Sequence, residues 1–143
     1  MANVTSNGMK YQTLVDWLAA RTGLYVALLA DTYAPNADHD FFDDVDQDEI
    51  SATGYTQYGQ ALASPAITKD NANDRAYLDA TDSSWNPFTG TARYAVVYDK
   101  NAGATSTWGI AGIVDFGANK SASGAEFKIT WAAPGSGGVL YLS

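Results

Sequence analysis

The residues whose types could do chemistry crowd into one stretch. Positions 38–49 carry seven carboxylates and the only histidine of the chain, His39. Asp44, Asp46 and Asp48 have the 1-3-5 spacing of a calcium-binding loop. Such a loop needs Gly at its sixth place for a sharp turn and a bidentate Glu at its twelfth. Those places hold Glu49 and Tyr55, so the motif fails where its geometry is strictest. A solvated acidic loop is the stronger reading. His39 lies between Asp38 and Asp40, and a carboxylate beside an imidazole could tune a general base. One histidine and no cysteine argue against a zinc site. Ser136 stands in Pro134-Gly135-Ser136-Gly137-Gly138, which lacks the first Gly of a nucleophile elbow and reads as a turn. A glycosidase-type carboxylate pair stays open, because the fold rather than the sequence brings such partners together. The sequence therefore assigns no catalytic, cofactor-binding or metal-ligating residue, and it predicts no cofactor.

Three other groups of residues have a functional and a plain reading. Asn3-Val4-Thr5 and Asn119-Lys120-Ser121 match the glycosylation sequon, which has meaning only in a secreted chain. Tyr55, Tyr58, Trp85 and Phe88 would favour a protein interface if exposed, and burial in the core is the stronger reading for each one singly. Both tails are short and partly apolar, which makes them candidates for reaching a neighbouring subunit.

Composition narrows the class. With 143 residues the chain suits one domain, able to bury roughly 70% of its unfolded surface. It is 46% hydrophobic and 17% charged, which is globular rather than disordered. Nine Tyr and four Trp suit a pleated, half-buried surface. A net charge of −8 argues against direct contact with a nucleic-acid backbone, which needs Lys and Arg. Cysteine is absent, so disulfides and thiol chemistry are excluded. The first eight residues lack a basic and then apolar leader pattern, and no apolar run approaches ~20 residues. The expectation is a soluble protein made in the cytoplasm, without membrane contact.

The elements that must position these residues follow from periodicity. Residues 1–8 are polar and read as an extended arm. Residues 9–20 read two ways: Leu14, Trp17 and Leu18 fit one face of a helix, and Tyr11, Thr13, Val15 and Trp17 fit one face of a strand, with the helix-forming run Leu18-Ala19-Ala20-Arg21 favouring a short helix. Residues 24–30 form a continuous apolar run, read as a buried strand. Residues 31–49 read as a long loop that Phe41 and Phe42 anchor to the body. Short strands are expected at 66–68 and 75–80, and an irregular edge at 83–90, since Pro87 cannot donate to a ladder. Residues 93–98, 109–116 and 126–131 read as three consecutive antiparallel strands, with Ile110 to Val114 central because that run is apolar throughout. In the last, alternation puts Phe127, Ile129 and Trp131 on one face and Glu126, Lys128 and Thr130 on the other. Residues 132–138 form a turn, and 139–142 a last strand. About eight short strands with turn signals every 8–12 residues predict a mainly β protein. The expected architecture is an antiparallel β-sandwich, of which a jelly roll is one form, with at most one or two short helices. The arm, 1–8, precedes a single domain, 9–143.

An ordered series of segments resembles a family of small virion structural proteins of tailed bacteriophages. It begins with Leu28-Leu29-Ala30-Asp31-Thr32-Tyr33-Ala34-Pro35, Asp38-His39-Asp40-Phe41-Phe42 and Glu49-Ile50-Ser51-Ala52-Thr53-Gly54-Tyr55. It continues through Asn73-Asp74-Arg75-Ala76, Ala92-Arg93-Tyr94-Ala95-Val96-Val97-Tyr98 and Ile113-Val114-Asp115-Phe116-Gly117, and closes on Gly138-Val139-Leu140-Tyr141-Leu142-Ser143. The order of the series, rather than any one motif, carries the resemblance, which covers most of the chain. It implies a capsid decoration (cement) protein that binds the major capsid protein, is a homo-oligomer, and resides in the virion after synthesis in the bacterial cytoplasm. It implies no catalytic residues. The alternatives are a tail- or connector-associated virion protein, and a carbohydrate- or receptor-binding β-sandwich.

Overall fold

The computed structural model describes residues 3–132 and 136–143. The chain is mainly β, in two antiparallel sheets, with one α-helix among the described residues. This is the expected class. Contacts divide it into two compact units.

The first unit comprises Met1–Arg21, Ala63–Asp82 and Thr130–Ser143. Its helix α1 runs Asn7–Ala19 and starts two residues inside the segment read as an arm. Ser6 explains the start: its Oγ accepts from the Met9 amide, one of the donors a helix leaves unpaired in its first turn. The arm positions Met1 and Ala2 lie outside the described residues. The sheet has the order β3-β4-β7, with β3 at Ala66–Asp70, β4 at Arg75–Asp79 and β7 at Leu140–Leu142. α1 packs on β3 and β4. β4 is central and buries Ala76, Tyr77 and Leu78. The expected turn at 132–138 is described only in part, since Ala133, Pro134 and Gly135 lie outside the described residues.

The second unit comprises Thr22–Leu62 and Ser83–Ile129. Its sheet has the order β2-β1-β5-β6. β1 is Leu24–Leu29, β2 is Gln60–Ala61, β5 is Ser83–Asp99 and β6 is Ile110–Ile129. β1 is apolar throughout because it is covered on both faces. Val26, Ala27, Leu28 and Leu29 are fully buried, each of the larger three contributing about 1.5–3 kcal/mol by leaving water. One face joins a cluster of Phe42, Val45, Tyr94, Val96, Tyr98 and Trp108.

Three expectations about this sheet are corrected. Residues 109–116 and 126–131 are not separate strands: β6 runs through both and ends at Ile129. β6 is also an edge, so Ile110 to Val114 are only half-buried, and β1 and β5 are central instead. The small, polar residues between the two runs stay extended by bulging. Residues 116–119 lie opposite the single residue Arg93, and Gly124 is an extra residue between Ser123 and Ala125. Gly117 and Gly124 have φ of 78° and 62°, a conformation that costs a side-chain-bearing residue energy. The irregular edge at 83–90 is likewise part of β5. Pro87 sits where the register shifts between Trp85 and Phe88, so no ladder donor is lost. The face assignment in 126–131 holds. Phe127, Ile129 and Trp131 are buried, and Glu126, Lys128 and Thr130 are exposed.

Candidate functional site

The acidic segment belongs to the second unit and folds as two short 3-10 turns, Phe42–Asp44 and Asp46–Asp48. Phe42 and Val45 are fully buried and fix it to the sheet. Phe41 does not share that task, being 42% exposed, and only one of the two expected anchors is real. Backbone bonds lace both ends of the segment down. Ala30 N donates to Asp48 O, Ile50 N to Leu28 O, and Phe42 N to Trp108 O.

The carboxylates spread outward from this frame instead of converging. Asp44 Oδ2 accepts from the amides of Asp40 and Phe41, 3.0 Å each, and closes the first turn. Asp48 Oδ1 accepts from Thr32 Oγ1 at 2.7 Å. The three aspartates with calcium-loop spacing therefore do not aim at a common point. Among the described residues, no group of three or more His, Cys, Asp or Glu side chains is placed to hold a metal ion.

Within the acidic segment, Glu49 is the carboxylate whose pKa is shifted. Its Oε1 accepts from the Tyr55 hydroxyl at 2.7 Å and from the Tyr58 amide at 2.5 Å. Burial pushes its pKa up, and the two hydrogen bonds pull against that rise. The Tyr55 hydroxyl accepts in turn from the Leu28 amide, and burial raises its own pKa far above the ordinary phenol value. A raised carboxyl beside a phenol could serve as a general acid. Asp46 and Glu49 also line one shallow groove of about 290 Å³ with Tyr55. The bonding favours a structural role, because Oε1 is already shared by two donors that tie residues 55–58 to β1.

His39 pairs with Tyr33 rather than with a flanking carboxylate. Its Nδ1 lies 3.1 Å from the Tyr33 hydroxyl, and the rings are 5.7 Å apart. It lines a groove of about 410 Å³ with Pro35, Asn36, Ile110 and Ile113. Ser136 is exposed, and its neighbours Pro134 and Gly135 lie outside the described residues. Asn119 Nδ2, the atom a glycan would join, donates to Asp31 Oδ2. Trp85 and Phe88 are buried, Tyr55 and Tyr58 half-buried, so these four rings build the interior. The Trp85 ring lies tilted to Tyr55 and edge-on to Phe127, with centroids 6.0 and 6.2 Å apart.

A cluster that the sequence reading missed is an aromatic cage around Lys100. The ammonium lies 4.9 Å from the Tyr25 ring, 5.2 Å from Tyr58 and 5.5 Å from Trp108. Each ring face attracts the cation. Beside it Asp99 is buried, its Oδ1 accepting from the amides of Thr22 and Gly23. The three rings come from β1, a loop and the β5–β6 turn, so no spacing signals them.

No protein-family model matches the chain, and neither a curated protein nor a solved structure does.

Proposed function

We propose that this protein is a structural component of a tailed-bacteriophage particle, a capsid decoration (cement) protein that binds the major capsid protein and stabilises the head without catalysing a reaction. The observation that carries the reading is the ordered series of segments running from Leu28 to Ser143. Many of them supply framework in this fold. Leu28 and Leu29 lie in β1, residues 92–98 in β5, residues 113–117 in β6 and residues 140–142 in β7. The carboxylates nearest to a chemical role support the non-catalytic part, because Asp44, Asp48 and Glu49 are spent on internal hydrogen bonds. The burial of Trp85 and Phe88 removes two of the rings that a glycan-binding reading would need at the surface.

The test uses capsids assembled with and without this protein. Capsids lacking it should form but lose resistance to heat, and the purified chain should restore it. Purified protein that ignores capsids but binds tails or a glycan array would refute decoration and assign the alternative role.

A further inference from the structure

A strand at the edge of a sheet offers unpaired amides and carbonyls to any passing chain, so natural edges carry protection: charge, proline, bulges or extreme shortness. Among the described residues the two sheets have four edges, protected to different degrees. β2 is two residues long. β3 follows Pro65 and ends in Lys69 and Asp70. β6 is long but is broken by the bulges at 116–119 and Gly124, and it carries Lys120, Glu126 and Lys128.

β7 is protected only by its length of three residues. It is Leu140-Tyr141-Leu142, last in the order β3-β4-β7, with no charge, proline or bulge. Tyr141 is 59% and Leu142 37% exposed. Val4, Met9 and Tyr11 of the same unit are also exposed, leaving Phe41 as the one exposed large apolar residue of the other unit among the described residues. Charge points to the same unit. It holds four Lys or Arg against five Asp or Glu, while the other holds four against eleven. Two copies can approach through the nearly neutral unit without the repulsion that the acidic one would impose.

We infer that β7 is the docking strand for a second copy of this chain. Two copies pair antiparallel about a two-fold axis at Tyr141, which sets Leu140 against Leu142 of the partner subunit and the reverse. Each copy then uses the same patch reciprocally, as an isologous contact requires. Pairing joins two three-stranded sheets into one of six, satisfies the free edge, and covers Tyr141, a residue type enriched at interface centres. This inference stands apart from the virion reading, which expects an oligomer but names no surface.

Sedimentation of the full chain at micromolar concentration tests it. The expected result is a species of twice the chain mass of 15.2 kDa. Tyr141→Glu and Leu142→Glu should each give monomer with an unchanged far-UV circular dichroism spectrum. Lys69→Ala on the protected edge β3 should leave the dimer intact. A monomeric wild type, a dimer that survives both β7 substitutions, or equal loss in Lys69→Ala overturns the inference. A monomeric wild type whose capsid binding is lost in Tyr141→Glu also overturns it, and gives the edge to a strand of the capsid protein while sparing the virion reading.

Discussion

Replacing Glu49 probes the balance between burial and bonding at the acidic segment. Glu49→Ala deprives the Tyr55 hydroxyl and the Tyr58 amide of their shared acceptor. Hydrogen bonds to a charged group contribute about 1.5–3 kcal/mol each, and relief of the buried charge offsets part of that loss, so the net cost should be about 2–4 kcal/mol at neutral pH. Glu49→Gln keeps a carbonyl acceptor and should cost about 1 kcal/mol or less. The two also differ in pH dependence. Burial raises Glu49 above its ordinary value of 4.5. A carboxyl raised in the folded state holds its proton more tightly there. Its stabilising contribution is complete below the unfolded value and is lost as pH rises through the folded one. Glutamine has no proton to lose. The unfolding free energy of Glu49→Gln minus that of wild type should therefore grow with pH across this window and then level off. Urea melts of the three proteins over a pH series measure it. An alanine variant as stable as wild type, or a glutamine difference that stays flat with pH, would refute the reasoning.

The other expectations need simpler measurements. Phe88 is fully buried against Phe127, ring centroids 5.0 Å apart, so Phe88→Ala should cost about 3–5 kcal/mol in a denaturant melt. Glu126→Ala, on the exposed face of the same sheet, should stay within about 0.5 kcal/mol; equal losses would place the faces wrongly. Lys100→Met keeps the stem but removes the cation from its cage of rings, and should lower stability by about 1–2 kcal/mol with a change in tryptophan fluorescence from Trp108. Calorimetric titration with calcium should show no site tighter than millimolar, since Asp44 is occupied with the amides of Asp40 and Phe41; a micromolar site abolished by Asp44→Asn contradicts this.

What was legible in the sequence is what depends on near neighbours. Alternation over 126–131 gave the buried face, because a pleated strand repeats every two residues wherever it lies. The unbroken apolar run at β1 announced a strand covered on both faces. The helix was legible only from the helix-forming run at 18–21, because the apolar spacing fits a strand as well, and its start at Asn7 depends on the single bond from the Met9 amide to Ser6. Reading failed where pairing is long-range. Residues 117–125 are small and polar, the composition of a turn, yet the run pairs with residues 88–92 of β5 and stays extended. The apolar run at 109–116 looked central because apolarity reports burial, not strand order. Ile110 and Ile113 pack on the buried aromatic cluster, and the Asp40 carbonyl accepts from the Ile110 amide.

The site was legible as a cluster but not as a set of roles. Seven carboxylates in twelve residues are plain to see, whereas their hydrogen-bond donors are set by the fold. Glu49 bonds residues six and nine places on, Asp48 reaches back to Thr32, and Lys100 meets rings from three distant segments. The division of charge was legible in part. The stretch at 38–49 has seven carboxylates and no Lys or Arg, and it carries most of the charge of −8. Contacts add that this stretch belongs to one unit, while both chain ends and residues 63–82 belong to the other, nearly neutral one. Acidity along the whole chain argues against self-association, whereas acidity confined to one unit leaves the other free to associate. The apolar strand at the C-terminus lies in the neutral unit, where pairing with its own copy meets least electrostatic resistance.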